Sequence, residues 1–70
     1  MFDFSVALFY IKVGIPVSLI LNGKERQYRL NDNGDILCIP NGKKHLEYKV
    51  NSFHLDAIMS DQWRIIDETN

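Results

Sequence analysis

Val17-Ser18-Leu19-Ile20-Leu21-Asn22-Gly23-Lys24-Glu25-Arg26-Gln27-Tyr28-Arg29-Leu30 is the stretch that decides the fold. Val17, Leu19 and Leu21 alternate with Ser18, Ile20 and Asn22, the period of a strand. Asn22-Gly23 follows, and both central residues of a tight hairpin turn must tolerate positive φ. Arg26 to Leu30 returns as a second strand, with Arg26, Tyr28 and Leu30 on one face and Gln27 and Arg29 on the other. The stretch therefore reads as a hairpin.

Its neighbours extend it. Asp32-Asn33-Gly34-Asp35 reads as a second turn, and Ile36 to Ile39 as a short apolar strand buried on both faces. Pro40-Asn41-Gly42 is a third turn. His45 to Val50 alternates as a strand, with Leu46, Tyr48 and Val50 inward and His45, Glu47 and Lys49 outward. Asn51-Ser52 offers caps for a short helix over Phe53 to Met59, Trp63 to Ile66 reads as a last strand, and the final residues are expected to fray.

On the N-terminal side, Asp3 to Val13 predicts a helix capped by Asp3 or Ser5 and closed by Gly14 and Pro16. Phe4, Ala7, Leu8 and Ile11 form one apolar stripe at helical spacing. Val6, Phe9, Tyr10 and Val13 fall largely outside it and are also apolar. A small sheet covers one side of a helix, so the second face is expected to meet another subunit. The fold class is α+β: an N-terminal helix packed on a small twisted antiparallel β-sheet (a meander), a short second helix and a C-terminal strand.

Composition narrows the function. The 70 residues and 8.2 kDa fit a single domain spanning 1–70. With 46% hydrophobic and 24% charged residues, the chain reads as soluble and globular. A domain this short buries only about 60% of its unfolded surface and usually needs a staple or an oligomeric partner. Cys38 is the single cysteine, which excludes an internal disulfide and a cysteine-rich zinc site. No apolar run approaches the roughly 18–20 residues that span a bilayer, and the N-terminus lacks the basic flank and small-residue cleavage site of a signal peptide. No membrane association is expected.

The net charge of −1 argues against a partner that is a DNA or RNA polymer. It is unevenly spread: residues 1–21 balance to zero, residues 22–50 carry +2 and residues 51–70 carry −3. The middle segment can present a local cationic surface to an anionic ligand.

No constellation supports catalysis, a metal or a cofactor. His45 and His54 form no ligand spacing with Cys38, and zinc needs three or four ligands. Cys38, between Leu37 and Ile39, reads as a small buried hydrophobe. Asp32 to Asp35 lacks the length and terminal Glu of a calcium loop. Gly14 stands at a helix C-terminus, whereas phosphate is drawn to helix N-termini. Asp67 and Glu68 are adjacent and terminal and point apart.

What remains suits binding. Lys24, Arg26 and Arg29 lie just past a hairpin turn with Tyr28 between them, and Lys43, Lys44 and Lys49 border the next hairpin. Arginine offers forked donors for phosphate, and an aromatic face can stack on a base. Tyr28 is open to two readings, sheet-face core or stacking platform. Asn22, Ser18, Asn51 and Ser52 carry groups that read base or ribose edges. His54 reads as a surface or cap residue or as a ligand contact, and Trp63 most simply as a core anchor.

The opening Phe4-Ser5-x-Ala7-Leu8-x-x-Ile11-Lys12-x-Gly14 resembles that of a phage-encoded family of small nucleotide-sponge proteins, which counter the Thoeris and CBASS bacterial defence systems. The closing run Ile58-Met59-Ser60-Asp61-Gln62-Trp63-Arg64-Ile65-Ile66 and the Asn22-Gly23 turn are similar to that family as well. The resemblance implies a helix on a twisted antiparallel sheet and a homotetramer. It also implies sequestration, without cleavage, of a cyclic nucleotide or cyclic ADP-ribose signal in the cytoplasm of the infected bacterial host. The chain departs from the family at Val17 to Leu21, which carries no charge or aromatic. It departs again at Asn51, near the place of an aromatic, and at His54, where the family has Ser or Thr.

The leading expectation is a sponge for a cyclic nucleotide second messenger, with a cyclic dinucleotide such as cGAMP favoured over cyclic ADP-ribose isomers. Lys24, Arg26 and Arg29 would hold phosphate, and Tyr28 or Phe9 would stack a base. The alternative is a protein-interaction module that docks through its apolar helix. A domain for single-stranded nucleic acid and an enzyme rank behind these two.

Overall fold

The computed structural model describes residues 1–66, so the expectations for the final residues and for Asp67 and Glu68 lie outside it. Helix α1 runs Phe4–Lys12. The Asp3 carboxylate accepts from the Val6 backbone N–H at 3.1 Å and caps it, while Ser5 lies inside the helix. At the far end Gly14 has φ +89°, its N–H donates to the Ile11 carbonyl, and the Ile15 N–H donates to that of Tyr10. This pair of bonds closes the helix through a left-handed glycine, and Pro16 keeps it closed.

The sheet begins with β1 (Val17–Leu21) and β2 (Lys24–Leu30), joined by Asn22 and Gly23 at φ 52° and 76°. Val17 pairs with Tyr28 and Leu21 with Lys24, so the turn sets the register. A loop organised by Asn31 leads to β3 (Ile36–Pro40). Its side-chain oxygen accepts from the backbone N–H groups of Asn33 at 3.0 Å and Asp35 at 2.8 Å. Cys38 and Ile39 are buried on opposite faces of β3, and Ile36 and Leu37 are half-buried.

The strand expected over His45 to Val50 is mostly absent. Lys44–Leu46 form a single 3-10 turn, and only Tyr48–Lys49 pair with β3, as β4. A two-residue turn at Asn41-Gly42 would set Cys38 opposite His45. The observed partner is Tyr48, three residues later, so the 3-10 turn takes up an insertion. Pro40 has no N–H to donate, which removes a ladder bond where the hairpin would start. Leu46 and Tyr48, expected inward, are 49% and 46% exposed, and Glu47 is turned towards Arg29.

Helix α2 is one turn, Leu55–Ile58, shorter than expected. His54 takes the N-cap position without a side-chain bond, so Asn51 and Ser52 do not cap it. Strand β5 (Trp63–Ile65) pairs antiparallel with β1, and the sheet order is β4-β3-β2-β1-β5. Phe2 forms an isolated bridge to Trp63 on the outer side of β5.

Alternation gives the sheet two unlike faces. Val17, Leu19, Tyr28, Cys38 and Trp63 point towards α1 and α2, where they bury Ala7, Ile11 and Ala57. The Tyr28 ring packs at a tilt against Trp63 at 5.2 Å and Phe53 at 5.3 Å, and Phe4 meets Phe53 edge-on at 5.0 Å. The Trp63 indole N–H donates to the Ala57 carbonyl at 3.1 Å and ties α2 to the core. No helix of the described residues covers the other face. The second side of α1 is bare in this chain: Phe9 is 62% exposed and Val13 55%, while Tyr10 is partly covered by Phe2. No helix of the described residues is long and apolar enough to cross a membrane.

Candidate binding site on the open sheet face

The structure distributes the sequence-predicted ligand residues instead of gathering them. Successive side chains of a strand point to opposite faces. Arg26 and Tyr28 therefore stand on the helix side and Arg29 on the open side, with the sheet between them. Ser18 also faces the open side and is buried. Phe9 is exposed on α1, Asn51 is exposed in the connection before α2, and His54 is exposed at the start of α2.

Tyr28 is 3% exposed, and burial pushes its hydroxyl well above the ordinary range. Its ring packs on Phe53 and Trp63, so of its two readings the core one describes its place. Arg26 is engaged as well. Its guanidinium donates to both carboxylate oxygens of Asp56, at 3.2 and 3.4 Å. Those bonds hold the Asp56 carboxyl below its usual range and the guanidinium above its own.

Arg26 and Lys24 line a recess of about 300 Å³ at the hairpin end of the sheet, together with Asn22, Asn41, Glu25 and Asp56. Its two cations and two carboxylates cancel, so it offers an anion no net attraction.

The open face is different. A recess of about 320 Å³ has Arg29, Lys44 and Gln27 around Ile39, Pro16 and Ile66. It has two cations in its lining and no carboxylate. Arg29 donates from Nη2 at 3.0 Å and from Nε at 3.3 Å to one oxygen of Glu47. This fixes the guanidinium and leaves its Nη1 edge without a bond among the described residues. Lys44 forms no ion pair among the described residues, whereas Lys49 is held by Asp35 at 3.5 Å. Donors held over an apolar floor suit a ligand with one anionic group and one flat or apolar face.

Alternation along β2 signals Gln27, which shares its face with Arg29. Lys44 reaches the same face only because the 3-10 turn folds back beside β3. Among the described residues no group of three or more His, Cys, Asp and Glu side chains is placed to hold a metal ion. No protein-family model, curated protein or solved structure matches this chain, so the resemblance at its two ends stands on those residues alone.

Proposed function

We propose that this protein is a non-catalytic binding protein that sequesters a cyclic nucleotide signal on the open face of its sheet. The observation that supports the reading is the convergence of Arg29, Lys44 and Gln27 over Ile39, Pro16 and Ile66. The two cations hold phosphate, the Gln27 amide reads a polar edge, and the apolar floor takes a base or sugar face. Arg29 keeps a free edge beside its bond to Glu47 and Lys44 forms no ion pair among the described residues, and these donors suit an anionic ligand, for which we favour a cyclic dinucleotide such as cGAMP. The setting comes from the resemblance of the chain ends: a phage anti-defence protein in the cytoplasm of an infected bacterium, keeping the signal from its effector.

Thermal unfolding against cyclic dinucleotides, cyclic trinucleotides and cyclic ADP-ribose isomers tests the reading. A ligand at a hundred times its Kd adds about 2.7 kcal/mol, a rise of roughly 10–20 °C in a domain of this size. The expected result is such a rise with one ligand, recovered intact after denaturation. A flat response across the panel overturns the reading.

The bare side of α1 favours a second reading, a module that docks another protein through Val6, Phe9 and Val13. The same face suits assembly of a homotetramer. Sedimentation velocity separates them: a tetramer assigns the face to self-association, and a monomer without nucleotide affinity assigns it to a partner.

A further inference from the structure

The Arg29 recess does not exhaust the open face. Ser18 pairs across the sheet with Gln27 on one side and Arg64 on the other, and Gln27 pairs with Ile39. Arg64, Ser18, Gln27 and Ile39 therefore form one lateral row over β5, β1, β2 and β3, all on the side away from the helices. A second recess of about 300 Å³ lies at the β5 end of that row, with Ser18, Glu25, Arg64 and Ile66 in its lining. Ile66 also lines the Arg29 recess, so the two adjoin.

The charges are spaced, not clustered. Arg64 stands two strands from Arg29 across the sheet and two residues from it along the sheet, which places their Cα atoms about 12 Å apart. The Arg29 guanidinium is held by Glu47 on the β4 side, so Arg64, which forms no ion pair among the described residues, is the side chain that can lean over that gap. Between Arg29 and Arg64 lie Ser18, which is buried beneath its neighbours, and Gln27, whose amide is half-buried, so the short Ser18 side chain marks the low point of the row. Glu25 lines the Arg64 end and cancels one charge there, so the attraction for an anion is that of the two recesses together: Arg29, Lys44 and Arg64 against Glu25 and the Glu47 that holds Arg29.

We propose that the two recesses are one groove for a ligand with two phosphates, the first held by Arg29 and Lys44 and the second by Arg64. The half-buried Gln27 amide hydrogen-bonds the sugar or base edge between the phosphates, and Arg64 is the residue that separates a dinucleotide from a mononucleotide. The inference rests on the reading of the Arg29 recess as a nucleotide site, and it adds to it a second phosphate subsite and the residue that forms it, Arg64.

Calorimetric titration of the full chain with cGAMP and with AMP tests it. The expected result is that wild type prefers cGAMP by about tenfold or more, the scale of one charged hydrogen-bonded contact. Arg64→Ala should erase most of that preference and leave AMP affinity within about twofold, and Arg64→Lys should keep part of the preference. Arg29→Ala should weaken both ligands. Arg64 is exposed, and far-ultraviolet circular dichroism of each variant checks that the fold is kept. Unchanged cGAMP affinity in Arg64→Ala, with both ligands weakened in Arg29→Ala, overturns the second subsite and leaves the first. No binding of either nucleotide to wild type overturns the underlying reading and the inference with it.

Discussion

The two faces of the sheet are built from the same strands and do opposite things. On the helix side, Tyr28, Trp63, Phe53 and Phe4 form one aromatic cluster, and Arg26 is tied to Asp56. On the open side, the residues one step along carry Ser18, Gln27, Arg29 and Arg64, with no helix of the described residues above them. Strand β2 shows the contrast within adjacent positions: Tyr28 is a core anchor, and Arg29 faces the recess with 40% of its side chain exposed. Burial of one face leaves the other free of core packing, because the core needs only every second residue. The two faces should therefore respond differently to substitution.

The largest effect is expected on the helix side. Trp63→Ala removes a fully buried ring and the bond to Ala57, and should cost about 3–5 kcal/mol in denaturant unfolding. A domain of this size holds roughly 4–10 kcal/mol in total, so this variant should be near or past unfolding. A loss below about 1 kcal/mol would show that the aromatic cluster is not the core.

Next comes the open side. Arg29→Ala should lower stability by less than about 1 kcal/mol, since its ion pair with Glu47 is partly exposed, yet weaken nucleotide binding about tenfold or more. Equal losses in stability and binding would erase the distinction between the faces.

The turn that sets the register gives a smaller effect. Gly23 has φ +76°, and Gly23→Ala should cost about 1 kcal/mol through backbone strain, read as a lowered midpoint in urea. No neighbour lies within 4 Å of the added methyl, so the cost is conformational.

The smallest effect concerns pH. The Arg26 guanidinium depresses the Asp56 pKa, so this pair contributes stability above the ordinary carboxylate range. That contribution is lost as pH falls through the depressed value. Melting curves across that acid window should drop less steeply for Asp56→Asn than for wild type, by a small margin because Asp56 is exposed. Parallel curves would remove the pair from the stability of the helix side.

Local chemistry made much of this fold legible. Asp3, Gly14, Asn22-Gly23 and the alternation of Val17 to Leu21 act over a few residues, and each stands in the structure as it reads in the sequence. Alternation also separates Arg26 and Tyr28 from Gln27 and Arg29. What failed was long-range or inserted. The clean alternation of His45 to Val50 hid the 3-10 turn, because period alone does not register an insertion against the partner strand. Asp56 meets Arg26 across 30 positions, and Arg64 joins the Ser18 row only because β5 pairs beside β1. No local signal specifies either contact, so the face we propose for binding was half visible, through β2, and half a product of topology.

The most direct measurement is a calorimetric titration of cGAMP into wild type, Arg29→Ala and Arg26→Ala under one set of conditions. Binding on the open face predicts that Arg29→Ala loses affinity about tenfold or more while Arg26→Ala stays within about twofold of wild type. Loss in Arg26→Ala with full binding in Arg29→Ala would place the ligand on the helix side and contradict the division of labour between the two faces.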